Sequence, residues 1–193
     1  MQVVSKELVN GKRVLLRLDL DVPLEKATDN SGQWIVIDDY RLKAALSTVK
    51  LCLENAEQVI VIGHIGRPDG KVVLELSTEP IKAWFKSQGL NNEKLLVEEN
   101  LRFNLGEGSC DIDFAKQLAG KADFFVNEAF GAHHPAASTT ILPTLLPHGV
   151  GLRFATEVET LSKIRNEQAL SFGNSLSGDL FFCHNCRIIS YQA

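Results

Sequence analysis

Cysteine, net positive charge and long apolar runs are all scarce in this chain of 193 residues. Four cysteines are too few for a disulfide scaffold in a chain of this length, and they favour a reducing compartment. The formal net charge of -4 gives no support for a nucleic-acid or anionic-membrane partner. No apolar stretch is long enough to span a bilayer, and the N-terminus lacks a signal-peptide pattern. We therefore expect a cytoplasmic protein that binds neither nucleic acid nor membrane.

Apolar residues, by contrast, make up 45% of the sequence, which is enough for one well-packed core or for one domain with an appendage. Strand-like stretches lie in order at 13–20, 59–62, 95–97, 124–126 and 148–152. Helix-like stretches alternate with them, at about 39–55, 77–87, 111–119 and 154–168. This order predicts a three-layer, mainly parallel Rossmann-like α/β sheet with helices on both faces.

Charged side chains follow the strands of this predicted sheet, at the edge where parallel strands present their carboxyl ends. Open α/β proteins bind ligands in the crevice at that edge. Guanidinium groups match phosphate and carboxylate groups bidentately, so several arginines at this edge favour an anionic ligand. The sequence therefore predicts an anion-binding site. Its candidate residues are Asp19, Asp21, Arg41, His64, Arg67, Arg102, His133 and His134.

Arg41 is the one candidate that does not follow a strand, because it lies in the first turn of a predicted helix. A cation in that position is at the unfavourable end of the helix dipole. Two interpretations stay open. Either Asp38 and Asp39 offset the cost of an exposed arginine, or Arg41 is directed at a ligand.

Five segments of the sequence resemble, in the same order, the signature blocks of the phosphoglycerate kinase family. They are R-L-D-L-D-V-P (17–23), D-D-Y-R-L-K-A-A-L (38–46), G-H-I-G-R-P-D-G (63–70), E-N-L-R-F (99–103) and V-N-E-A-F-G-A-H-H (126–134). The resemblance covers roughly residues 5–165. It implies reversible transfer of the γ-phosphoryl group of Mg-ATP to the carboxylate of 3-phosphoglycerate, a reaction of glycolysis. Such a transfer depends on positioning and charge neutralisation, which suits arginines better than a nucleophile.

The resemblance also implies a role for each matching residue. Asp19 and Asp21 match positions that hydrogen-bond the hydroxyl and carboxyl region of the substrate, and Arg41 matches the arginine that stabilises the transferring phosphoryl group. His64, Arg67 and Arg102 match members of the basic patch that holds the substrate phosphate, and Ile65, Gly66 and His134 are further candidates for binding the substrate. The implied ligands are 3-phosphoglycerate and 1,3-bisphosphoglycerate. The implied enzyme is a cytoplasmic monomer with no metal ligands in this chain.

Two departures from the family pattern lie inside the site. Asp21 stands where the family usually has Asn, and a carboxylate adds negative charge and cannot donate a hydrogen bond, so we expect weaker substrate binding. The loop G-A-H-H-P-A-A-S (131–138) is one residue shorter than the family's G-T-A-H-R-A-H-A-S. His134 replaces its arginine and Ala136 replaces its second histidine. We therefore expect one cation of the patch to become dependent on pH.

The third departure concerns how much of a complete family member this chain contains. The family needs a second domain to bind the nucleotide, and the sequence after Gln168 contains no G-x-x-x-x-G-K-[ST] motif or other glycine-rich phosphate loop. We expect residues 1–153 to form the N-terminal substrate-binding domain, 154–168 to begin the interdomain helix, and 169–193 to be a divergent tail. On this interpretation the chain is truncated, Mg-ATP or Mg-ADP is bound by the missing C-terminal domain, and this chain alone has little or no activity.

Two other interpretations stay open. In one, the chain is a non-catalytic anion-binding module or the relic of a broken gene. In the other, Cys183-His184-Asn185-Cys186 takes part in zinc or redox chemistry, although a C-x-x-C motif without a second ligand pair is a weak signal. Cys52 is expected to be a small core residue.

Overall fold

The computed structural model describes residues 1–29, 31–90 and 93–172, so the C-x-x-C motif lies outside the described residues. Within these ranges the strands are β1 (Arg13–Arg17), β2 (Leu24–Lys26), β3 (Trp34–Val36), β4 (Gln58–Ile62), β5 (Leu95–Val97), β6 (Phe124–Asn127) and β7 (His148–Val150). The α-helices are α1 (Lys6–Val9), α2 (Tyr40–Asn55), α3 (Glu79–Ser87), α4 (Leu105–Gly108), α5 (Ile112–Ala119), α6 (Leu142–Leu145) and α7 (Leu152–Phe172).

Five of the strands form one parallel sheet in the order β5-β4-β1-β6-β7. β1 lies at its centre, and Leu15 pairs with Ile60 of β4 on one side and with Phe125 of β6 on the other. The predicted α/β fold with a parallel sheet is confirmed. The carboxyl ends of all five strands lie at one edge, as the site prediction requires.

Alternate side chains of β1 point into two cores, one on each face of the sheet. Val14 and Leu16 are buried with side chains of α2 and α3 on one face. Leu15 is buried on the other face together with Phe125 and with side chains of α5 and α6. Strands covered on both faces have nearly continuous apolar sequences, which is why they are recognisable in this chain. The helices therefore form the two outer layers.

Cys52 lies on the buried side of α2 and has 0% of its surface exposed, in agreement with the prediction that it is a core residue. Burial raises the pKa of its thiol to about 12, and the nearby Glu128 acts in the same direction. The reactive form of cysteine is the thiolate, so Cys52 is chemically inert.

Residues 24–36 form two short strands that are not among the strand-like stretches recognised in the sequence. β2 and β3 pair antiparallel as a hairpin, with Leu24 opposite Val36. The backbone N–H of Ser31 donates to Asp29 Oδ1 at 2.9 Å and supports the turn. Lys26 Nζ lies 5.7 Å from the centre of the Trp34 ring across the hairpin. Strands of three residues are too short to show alternation, so only these cross-strand contacts reveal the hairpin.

Two boundaries also differ from the sequence-based expectation. β1 ends at Arg17 and not at Leu20, because Ile62 and Asn127 are the last residues of the neighbouring strands and leave nothing for β1 to pair with. α7 begins two residues earlier than expected, at Leu152, and continues to Phe172. In the described part of the chain, neither α7 nor any other helix has the length and apolar character needed to cross a membrane.

Helix α7 begins at a buried carboxylate. Glu128 accepts hydrogen bonds from the backbone N–H groups of Arg153 and Phe154, both at 3.0 Å. It also accepts from the Thr48 hydroxyl at 2.5 Å, and the Thr48 oxygen accepts from the Leu152 N–H at 2.9 Å. These side chains satisfy first-turn N–H groups that have no partner inside a helix. The start of α7 is thereby tied to the end of β6 and to α2.

We expect Thr48→Val to destabilise the contact between α2, Glu128 and the start of α7. Valine has nearly the same shape, but it removes the donor to the buried Glu128 and the acceptor for the part-buried Leu152 N–H. Leaving such groups without a partner costs about 1–3 kcal/mol in the free energy of unfolding, which urea denaturation of the full chain measures.

Thr160→Val is the matched control, because Thr160 is exposed on α7 and bonds only within the helix, to the Thr156 carbonyl. Its expected effect is below about 0.5 kcal/mol. Equal losses in the two variants would show that Thr48 contributes no more than a surface threonine.

Candidate functional site

A cleft with a volume of about 340 Å³ opens at the carboxyl edge of the sheet. Its lining includes most of the residues that the sequence predicts for the site: Asp19, Asp21, Arg41, His64, Gly66, Arg67, Arg102 and His134. Ile65 and His133 do not line the cleft. Ile65 is 2% exposed and belongs to the apolar core, so its side chain supports the loop from below.

A larger hollow of about 520 Å³ lies between α1 and α2. Its charged lining consists of two lysines and two glutamates, so it has no excess of either sign. We therefore place the candidate site in the smaller, arginine-lined cleft.

Arg41 is bound to the acidic residues that follow β1. Its Nη1 donates to both carboxylate oxygens of Asp19, at 3.0 and 3.1 Å, and to the backbone carbonyl of Asp21 at 3.0 Å. Asp38 and Asp39 are used elsewhere. Asp38 accepts from the Tyr40 N–H at 3.0 Å, and Asp39 pairs with Lys43. The charge of Arg41 is therefore balanced across the cleft, by Asp19.

The loop after β4 is held by hydrogen bonds on both sides of Gly66. The Gly66 N–H donates to Asp21 Oδ1 at 2.9 Å, and its carbonyl accepts from Arg102 Nη1 at 2.7 Å. Gly66 has φ of 60°, and a Cβ there would lie 2.9 Å from the Leu76 side chain. The positive φ favours glycine at this position, and a Cβ would also force the Leu76 methyl groups to shift.

The buried Asn100 holds the same loop in place through hydrogen bonds. The sequence analysis assigned no role to this residue. Its side-chain amide donates to the carbonyls of Ile65 and Leu76, at 2.7 and 2.9 Å. Its Oδ1 accepts from the backbone N–H of Arg102 at 3.0 Å. One side chain thus fixes the loop after β4 and the position of Arg102. The only signal in the sequence is that Asn100 stands two residues before Arg102, in the segment that follows β5.

A second feature missed by sequence reasoning is a buried cluster of Arg17, Glu107 and Ser138. Arg17 is 1% exposed, and its Nε donates to Ser138 Oγ at 2.8 Å. The Ser138 hydroxyl donates to one oxygen of Glu107 at 2.5 Å, and its N–H donates to the other at 3.1 Å. Burial lowers the pKa of Arg17, and the Glu107 carboxylate opposes that shift. The sequence does contain a signal, since Arg17 is a cation inside an apolar strand.

The arrangement leaves one polar atom of Arg17 without a partner. Among the described residues, nothing hydrogen-bonds to the buried Nη1, although Arg17 lines the cleft. A buried donor without a partner is costly, so it is best explained by a ligand that completes it. Nη1 is therefore a buried donor at the wall of the cleft that the described residues leave without a partner.

His64 is the candidate whose charge differs most from the sequence-based picture. Burial lowers its pKa to about 4, and the positive charges of Arg102 and Arg17 act in the same direction. Asp21 opposes the shift without reversing it. His64 is therefore neutral at neutral pH, so in the free protein it serves as a hydrogen-bonding group and not as a cation.

Arg67 and His134 form the exposed rim of the cleft. None of the described residues forms a hydrogen bond or ion pair with the Arg67 guanidinium, so all of its donors are available. The rings of His133 and His134 lie 5.4 Å apart, centre to centre, on the loop after β6. Only His134 of this pair lines the cleft.

A parallel α/β sheet with arginines converging at its carboxyl edge is an arrangement typical of α/β proteins that bind anionic ligands. The chain belongs to the phosphoglycerate kinase family, whose family model, described as phosphoglycerate kinase, matches residues 4–179. This match reaches further than the residues covered by the sequence blocks.

Individual relatives agree with this assignment. The chain is 38% identical to the phosphoglycerate kinase of Moorella thermoacetica over 80% of this chain and 43% of that protein. It is 36% identical to that of Prochlorococcus marinus over 82% of this chain and 44% of that protein. The solved phosphoglycerate kinase of Coxiella burnetii superposes with a TM-score of 0.71 at 31% identity, covering 81% of this chain and 42% of that one. The chain thus spans less than half the length of each of these three relatives.

The depressed pKa of His64 gives a test of the electrostatics of the cleft. An NMR titration of the full chain in phosphate-free buffer should show the His64 ring protonating with a midpoint of about 4. Inorganic phosphate should raise that midpoint, because an anion in the cleft offsets the arginine charges that disfavour the imidazolium. His64→Gln identifies the resonance. A midpoint near ~6.5, the ordinary value for histidine, that phosphate does not move would contradict this description.

The same shift predicts a pH dependence of stability. Between the ordinary pKa of histidine, near ~6.5, and about 4, the unfolded chain binds a proton at residue 64 that the folded chain does not. The contribution of His64 to the free energy of unfolding therefore falls as the pH falls through this window. Chemical denaturation at several pH values should show a shallower decline for His64→Gln than for the unmodified chain.

Proposed function

We propose that this chain binds 3-phosphoglycerate and 1,3-bisphosphoglycerate, as the substrate-binding part of a phosphoglycerate kinase. The observation that carries the proposal is the convergence of four arginines from four segments of the chain on one cleft: Arg17, Arg41, Arg67 and Arg102. Membership of the family supports the same assignment.

The phosphate group of the substrate binds, in this proposal, between Arg67, Arg102 and the free Nη1 of Arg17. Arg67 has no other partner among the described residues, and Arg102 uses one nitrogen on a neutral carbonyl and keeps its charge available. Guanidinium groups bind phosphate through charge-assisted hydrogen bonds, often in pairs. Neutral His64 adds a further donor or acceptor.

The opposite end of the substrate, where the phosphoryl group is transferred, lies at Asp19, Asp21 and Arg41. Only Nη1 of Arg41 is bound to protein among the described residues, so its remaining nitrogens can meet charge that develops on the transferring group. Fixed donors at such a position stabilise the transition state because they need no reorganisation. The need for a fixed donor at the transferring group explains why an arginine stands in the first turn of α2.

The second reactant is assigned to a separate nucleotide-binding domain. Mg-ATP or Mg-ADP would supply or accept the phosphoryl group there, as in a cytoplasmic, monomeric enzyme of glycolysis. We assign residues 1–153 to the substrate-binding domain and 154–168 to the start of the interdomain helix, with 169–193 as a tail. The chain spans only 43% of a relative such as the Moorella thermoacetica enzyme, so an activity of the whole enzyme is not expected from this chain alone.

Isothermal titration calorimetry of the full chain tests the proposal. We expect saturable binding of 3-phosphoglycerate and none of Mg-ATP. Arg67→Gln should weaken the binding of 3-phosphoglycerate at least about tenfold, because one charge-assisted phosphate contact is worth about 1.5–3 kcal/mol. Arg67 is exposed, so this variant should fold normally, which circular dichroism verifies.

Lys50→Gln is the matched control, because it removes an exposed positive charge on α2 outside the cleft. Its effect on affinity should be less than twofold, reflecting only screened long-range attraction. Sulfate binding as tightly as 3-phosphoglycerate would favour the non-catalytic anion-binding module. Absence of binding to every phosphate compound would favour the relic.

A further inference from the structure

Charge is unevenly distributed along the cleft. Four arginines and three carboxylates line it, the carboxylates being Asp19, Asp21 and Glu107. Asp19 is paired with Arg41 at 3.0 Å, and Glu107 lies 4.0 Å from Arg17. Among the described residues, Asp21 forms no ion pair. It is therefore the carboxylate in the cleft whose charge is least compensated.

The neighbours of Asp21 do not supply the missing positive charge. Its Oδ1 accepts from the Gly66 N–H at 2.9 Å, and no described residue hydrogen-bonds to its Oδ2. His64 is close enough to feel the charge of Asp21, but burial and the arginines keep the imidazole neutral. Arg41 contacts only the backbone carbonyl of Asp21 and directs its charge at Asp19. Asp21 therefore presents an accepting, negatively charged oxygen.

The uncompensated positive charge lies on the other side of Gly66. Arg102 binds the carbonyl of Gly66, whereas Asp21 binds its N–H. Arg67 follows Gly66 directly in the chain and has no partner among the described residues. The cleft thus has a cationic subsite and an anionic subsite on either side of one residue. A ligand that matches both has a phosphate at one end and a neutral hydrogen-bond donor at the other.

We propose that Asp21 determines ligand choice in this cleft, and that the cleft binds a hydroxyl-ended phosphomonoester at least as tightly as a carboxylate-ended one. Glycerol 3-phosphate represents the first class and 3-phosphoglycerate the second. The inference rests on the proposed function only in placing the phosphate at Arg67 and Arg102.

The reason is the chemistry of a carboxylate. An ionised carboxylate only accepts hydrogen bonds, so it can bind a hydroxyl group of the ligand directly. A ligand carboxylate at the same place brings a second negative charge and no donor, and two like charges a few ångströms apart in a partly buried site repel each other. Asp19 does not repel it in this way, because Arg41 neutralises Asp19.

The test is calorimetry of the full chain at pH 7.5 with three ligands: inorganic phosphate, glycerol 3-phosphate and 3-phosphoglycerate. For the unmodified chain, glycerol 3-phosphate should bind at least as tightly as 3-phosphoglycerate. Asp21→Asn should raise the affinity for 3-phosphoglycerate about tenfold, since it removes one repulsive charge. Its effect on the other two ligands should stay within about threefold, so the order of preference reverses. Asparagine keeps an oxygen that can accept from the Gly66 N–H.

His134→Arg is the control for a general change in charge. It adds a positive charge at the rim of the cleft without altering Asp21, so it should strengthen the binding of all three ligands. The ratio of the two organic ligands should change less than it does in Asp21→Asn.

Three results would overturn the inference, and they differ in what they say about the proposed function. Tighter binding of 3-phosphoglycerate than of glycerol 3-phosphate by the unmodified chain removes the inference and leaves the proposed function standing. An equal gain for all three ligands in Asp21→Asn does the same, because Asp21 would then act on the phosphate. Failure of every ligand to bind removes both.

Discussion

The cleft depends on the central place of β1 in the parallel sheet. β1 pairs with β4 on one side and β6 on the other, and Arg17 is its last residue in both ladders. The three strands therefore end at the same height in the sheet, and the loops that follow them are neighbours. Because the ladders fix where each loop starts, the charges that follow these strands must face one another. Asn100 and the cluster around Arg17 then hold those loops, so the position of the charges is built into the fold.

Arg17 also connects the cleft to the start of α7. Its backbone carbonyl accepts from the Glu128 N–H at 2.9 Å, and the Glu128 side chain caps α7. The cleft and the first turn of α7 are therefore joined by a chain of hydrogen bonds through Glu128. Further along α7 the helix leaves the domain surface, and Leu161 and Ile164 are about half exposed.

The sequence predicts those features that depend on periodicity or on strand ends. The central strands are apolar on both faces, which predicts a parallel sheet, and the shared edge of that sheet predicts which loop residues meet. Contacts between distant residues could not be predicted in this way. Thr48 and Glu128 meet although they are 80 residues apart, and nothing in either local sequence indicates the other. The charge of His64 was equally inaccessible, because its pKa depends on burial and on arginines from other segments of the chain.

Asp21 and His134 act on the same physical quantity, the positive charge that the cleft offers to an anion. The family pattern has an amide and an arginine at these two positions, so both replacements reduce that charge. Arg41 is already bound to Asp19, and Arg17 lies beside Glu107, which leaves Arg67 and Arg102 as the cleft arginines without a carboxylate partner among the described residues. Two unpaired guanidinium groups match the charge of a phosphate dianion. If Asp21 governs ligand choice as proposed, a further negative charge on the ligand would meet Asp21 and no arginine that lacks a carboxylate partner. The proposed preference of this cleft therefore rests on its balance of paired and unpaired charges.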